Sequence, residues 1–88
     1  MDFEYVEYTK ELKELLESIF TDTFMQRNSR FEDFKSFQFS SAVFVNWNSD
    51  QLIYSKSIFD GFVAESTDFK SWDEMVKKGT EIHFHNEN

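Results

Sequence analysis

A chain of 88 residues has the length of one domain, and its 12 Phe, 3 Tyr and 2 Trp supply the dense apolar matter that so short a chain needs for a core. Seventeen Asp and Glu against nine Lys and Arg leave a formal net charge of -8, which excludes the basic footprint that nucleic acid or an anionic membrane surface attracts. The absence of Cys excludes disulfides, thiolate chemistry and every Cys-containing zinc site.

From Tyr5 the apolar positions Tyr5, Tyr8, Leu12, Leu15, Leu16, Ile19, Phe20 and Phe24 follow the spacing of one helical face, which predicts an N-terminal amphipathic helix. Thr9 is a candidate N-cap and Asp2 an earlier one, and Asn28 and Ser29 end the run. Ser29 and Glu32 form an S-x-x-E capping box that fits one further helical turn through Phe31 and Phe34. After Ser36 the period changes to two, with Phe37, Phe39, Ser41, Val43, Val45 and Trp47 on one face, the pattern of a half-buried strand or two. Asn48 to Asp50 reads as a turn and Gln51 to Phe59 alternates again. Asp60-Gly61 is a hairpin signal that predicts a paired strand from Phe62 to Glu65. Ser71 to Glu74 is a second capping box, and Lys77, Lys78 and Gly79 read as a helix end, so a short helix is expected over Trp72 to Lys78. Thr80 to His85 alternates once more as a last strand, and Asn86 to Asn88 is expected to fray. The predicted fold class is α+β: the N-terminal helix, a three- to four-stranded antiparallel sheet, and the short second helix before the last strand, in one compact domain spanning residues 1–88.

The charge is not spread evenly. Asp2 to Asp22 carries -5 and Asp60 to Val76 carries -4, while Gln26 to Phe59 sums to +1 and the last twelve residues to zero. In the first segment Glu4, Glu7, Glu11, Glu14 and Glu17 recur every three or four residues opposite the leucines, about 4.5 to 6 Å apart along a helix axis. The plain reading is a solvated face on which Lys10 and Lys13 reach Glu14 and Glu17. The sharper reading sets this row beside Asp60, Glu65, Asp68, Asp73 and Glu74, so that spaced carboxylates imitate a phosphate backbone and attract a basic nucleic-acid-binding channel.

Glu81, His83 and His85 would share one face of the last strand, yet two imidazoles near a terminus with no Cys are more simply surface residues, and no metal or cofactor is expected. No G-x-S-x-G, phosphate-binding loop or dinucleotide fingerprint is present, and a substrate pocket would consume much of so small a core; a non-enzymatic protein is expected. Aromatic side chains beyond those the core can hold, with Tyr54, Phe69 and Trp72 as candidates, would anchor a protein partner.

The acidic start and the longest apolar run, only Ala42 to Val45, argue against export and membrane spanning and for a cytoplasmic chain. Phe, Tyr, Met, Ile, Asn and Lys total 34 against 6 for Gly, Ala, Arg and Pro, a skew that points to an AT-rich gene such as that of a low-GC bacterium or its phage. In size, acidity and this composition alone, the chain resembles small phage-encoded inhibitors such as anti-CRISPR proteins. The expected function is that of a non-enzymatic protein, a monomer or homodimer, that binds a basic protein surface and blocks the nucleic-acid channel of a host enzyme or defence complex. Glu7, Glu11, Glu14, Glu17, Asp60, Glu65, Asp68, Asp73 and Glu74 are the contact residues expected from the carboxylate rows, with Phe69 and Trp72 as anchors. The alternative is a small cytoplasmic adaptor that dimerises or binds a partner through an exposed strand edge or aromatic patch, its acids serving solubility.

Overall fold

The computed structural model describes residues Phe3 to His85. The chain opens on a strand, β1 (Phe3–Glu7), followed by α1 (Lys10–Ile19), α2 (Asp22–Asn28), α3 (Phe34–Ser41), β2 (Gln51–Ser55), α4 (Lys56–Ser66) and α5 (Trp72–His85). β1 and β2 pair antiparallel with Phe3 opposite Ser55, Tyr5 opposite Ile53 and Glu7 opposite Gln51, and the Tyr8 amide extends the ladder to the Asp50 carbonyl at 2.8 Å. Three helix starts are set by side-chain caps that take up otherwise unpaired amides. Thr9 Oγ1 accepts from the Leu12 amide at 3.1 Å, Thr21 Oγ1 from Phe24 at 3.1 Å, and Asp33 Oδ1 from Ser36 at 2.8 Å.

The buried residues from Tyr8 to Met75 form one cluster whose centre is aromatic. Phe37 lies wholly inside, stacked on Trp72 with ring centroids 5.9 Å apart and close to Phe34 and Phe59. Phe20 joins this centre through Phe34 at 4.9 Å. Ser41 is the polar group sunk deepest, and it is satisfied: its hydroxyl donates to the Gln38 carbonyl and accepts from the Trp47 indole N–H at 2.8 Å.

The expected three- to four-stranded sheet and helix-first order are therefore corrected to a strand-first chain with five helices and a two-stranded sheet among the described residues. Residues 3–7 pair with a segment more than forty positions away, an interaction outside any local window. The N-terminal helical face breaks at Thr21, which caps α2. Asn28 and Ser29 do end a helix, Ser29 being the C-cap of α2 with its amide and hydroxyl both donating to the Met25 carbonyl, but Ser29 does not start the next one: the N-cap of α3 is Asp33. The apolar alternation over Phe37 to Trp47 misleads because Phe34, Phe37 and Ser41 face inward at helical spacing while Phe39 and Val43 are 84% and 81% exposed.

Asp60-Gly61 sits inside α4 with Gly61 at negative φ, so no hairpin forms there. Gly79 ends nothing either. α5 runs through it to His85, replacing the last strand; a Cβ at Gly79 would stand 2.8 Å from the Phe20 ring, so the glycine is what lets α5 close on the end of α1. The candidate cap Asp2 and the expected fraying of Asn86 to Asn88 lie outside the described residues.

Candidate functional site

α1 carries the first carboxylate group. Leu12, Leu16 and Ile19 turn toward the core and Glu11, Glu14 and Glu17 lie exposed on the opposite face, rising about 4.5 Å per step of three residues. No described residue forms an ion pair with them. Lys13 does not reach Glu17: its ammonium lies 5.0 Å from the centre of the Tyr8 ring, a cation–π arrangement. The expected row of five is shorter than the spacing suggested, since Glu4 and Glu7 belong to β1 and project from opposite faces of the strand.

The second acidic segment is built into the junction between α4 and α5. The first amides of α5 need acceptors. The Trp72 amide donates to Asp60 Oδ1 at 3.0 Å, Glu74 Oε2 accepts from the Lys70 amide at 2.6 Å, and Ser71 Oγ accepts from the Glu74 amide at 3.1 Å. Lys56 then ties the two helices, with Nζ 3.3 Å from Asp60 Oδ2 and 3.1 Å from Asp73 Oδ2. Hydrogen bonds to Asp73 and then Asp60 hold its ammonium above the ordinary lysine value. Glu65 on α4 and Asp68 in the following loop are exposed. Trp72 and Phe69, the expected anchors, are core residues, and so is Tyr54; the rings that do face out on the sheet are Phe3 and Tyr5, with Ile53 beside them. Reading Phe3 and Tyr5 as alternate positions of a strand would have found that face.

The two acidic segments meet at one place. Between the inner face of the sheet and the α1–α5 pair lies a cleft of about 360 Å³, floored by Leu12, Leu16, Leu52 and Val76, with Glu4, Asp73 and Lys77 among its lining. Tyr54 also lines it and is 5% exposed. Burial, then Asp73 and Glu4, push its phenol above the ordinary tyrosine value. Glu11, Glu14 and Glu17 take no part in this meeting, because the side of α1 that packs on α5 is the one opposite them.

At the C-terminal end, α5 turns His83 about 200° away from Glu81, so Glu81, His83 and His85 do not converge; the His83 ring lies 5.1 Å from Phe84. No group of three or more metal-ligating side chains occurs among the described residues, and no helix among them is long and apolar enough to cross a membrane. No protein-family model, curated protein or solved structure matches the chain.

Proposed function

We propose that this chain is a non-enzymatic acidic protein that binds a basic protein surface, the nucleic-acid channel of a host enzyme or defence complex, and competes there with the phosphate backbone. The observation that carries the reading is the row Glu11, Glu14 and Glu17: three exposed carboxylates without ion-pair partners among the described residues, on a capped helix whose other face is anchored in the core. Fixed spacing matters because a partner's Lys and Arg side chains then meet charges already in place, and little ordering cost is left to binding. Asp60, Asp73 and Glu74 support the surface only by their field, since their carboxylates are engaged within the fold. The test is a pull-down from host lysate at low and high salt with wild type and the E11K/E14K/E17K variant. Capture that weakens with salt, is reversed by added nucleic acid and is lost in the variant supports the proposal; capture unchanged by the three reversals overturns it.

One observation favours a second reading, the adaptor. The outer face of the sheet exposes Phe3, Tyr5 and Ile53, and among the described residues β1 pairs with a strand on one side only, which leaves an edge for a second copy. The charge of -8 on each copy opposes self-association and places this reading second. A dimer that persists in low salt and is broken by Tyr5→Lys would select it.

A further inference from the structure

We infer that the cleft between the sheet and the α1–α5 pair is a binding site for a small organic cation, an aryl- or alkylammonium whose hydrocarbon body fills the slot and whose head lies beside Glu4, Asp73 and the Tyr54 hydroxyl. This site is separate from the outer face of α1 and does not depend on the function proposed for that face.

Three observations converge on this class of ligand. The first is shape and polarity: about 360 Å³ of space with a floor of leucine and valine side chains and a few polar groups at the rim is the composition of a small-molecule site, and it falls at the lower end of the usual size range. The second is Tyr54. More than nine-tenths of this residue is buried and it lines the slot, yet its hydroxyl has no hydrogen-bond partner among the described residues; nor is it sealed away, because no buried polar side-chain atom is left without a partner. The hydroxyl therefore keeps some access to solvent, with its bonding capacity unused, on a residue that lines the cleft and lies in the field of Asp73 and Glu4. The third is charge. Glu4 and Asp73 line the cleft against Lys77, and Lys56 nearby is held by Asp60 and Asp73. Burial is the first reason the Tyr54 phenol keeps its proton more tightly than usual, and the nearby carboxylates of Asp73 and Glu4 add to it against Lys56.

An ammonium group has three donors and no acceptor, and of the polar groups lining the cleft two carboxylates and a phenol oxygen can accept from it, against the one ammonium of Lys77. The Trp72 and Tyr54 rings in the same lining add aromatic surface suited to a cation. A carboxylate of the same size would have Lys77 on its side and Glu4 and Asp73 against it, and a neutral ligand would gain only the floor.

Three probes that share a phenyl body separate these cases: phenethylamine, 2-phenylethanol and 3-phenylpropionate, each titrated to about 10 mM, where a ligand this small saturates a site. Binding is followed by amide NMR shifts at Leu12, Leu52 and Val76 and by tryptophan fluorescence. The amine is expected to bind about tenfold more tightly than the acid, with the alcohol between them. Glu4→Gln and Tyr54→Phe, which leave the core volume nearly unchanged, should each weaken the amine several-fold without altering the alcohol. Val76→Phe, filling the slot, should abolish all three. The inference is overturned if the acid binds as well as the amine, if the amine gives no saturable shift at the cleft, or if its affinity is the same in Glu4→Gln and Tyr54→Phe.

Discussion

The two acidic segments have nearly the same excess charge in the sequence and opposite duties in the fold. On α1, Glu11, Glu14 and Glu17 bond to no side chain and stand in solvent. Between Asp60 and Glu74, the carboxylates of Asp60, Asp73 and Glu74 cap the start of α5 and hold α4 to it through Lys56, while Glu65 and Asp68 stay exposed. Asp60 acts as an N-terminal cap supplied by a different helix, which binds the Trp72 amide just where the Trp72 ring enters the core. A count of charges cannot separate these uses. Hydrogen bonds can: a carboxylate that accepts from a backbone amide is part of the structure, and one that accepts from water is available to a partner.

Replacing Asp60 by Ala tests the structural half of this contrast and should have the largest effect. The Trp72 amide loses its acceptor and Lys56 loses a partner, at a cost of about 1 to 3 kcal/mol, read as a lower denaturant midpoint at unchanged slope. The same change at Glu14 should cost far less; equal losses would break the comparison. Next comes pH. Lys56, Tyr54 and Tyr8 all hold their protons above the ordinary values of 10.5 for lysine and 10.0 for tyrosine. Each contribution is therefore complete below that value and is lost as the pH rises through the higher folded one. Stability should fall in alkali, and Lys56→Met should make the part of the fall that begins above about pH 10.5 shallower than in wild type. An identical fall in both chains would remove Lys56 from the account. The smallest effect is expected for the E11Q/E14Q/E17Q variant, whose stability should stay within about 0.5 kcal/mol of wild type while salt-dependent partner capture is lost.

What the residues announced in advance is confined to short range. Thr9, the inward Leu12, Leu16 and Ile19, and the outward Glu11, Glu14 and Glu17 lie within eleven positions, so α1 and its charged face were legible. The Ser71 box likewise marked the start of α5. β1 was hidden because its partner is β2, and Tyr5 and Tyr8 fall by coincidence on the helical spacing of the leucines that follow. α3 was hidden because one of its inward positions is Ser41, buried against the Trp47 indole, whereas the apolar Phe39 and Val43 face out. Gly79 looked like a stop and is a point of contact, a distinction made by Phe20 from another helix. The site divides the same way. The α1 row and the capping role of Glu74 could be read from spacing, the engagement of Asp60 and Asp73 could not, and the cleft is assembled from four elements that no stretch of sequence contains together.

The junction of β2 and α4 sets the alignment of the sheet. The strand ends at Ser55 and the helix begins at Lys56, with no residue between them to absorb an error. Sliding β2 by one residue would turn Leu52 and Tyr54 outward and impose a rotation of about 100° on α4, withdrawing Phe59 and Val63 from the centre of the molecule. A two-stranded sheet is marginal alone and here has no tight turn to set its pairing. The helix fused to its end serves as the gauge, so that a mispaired strand is rejected by the misfit of Phe59 and Val63, one and two turns along that helix.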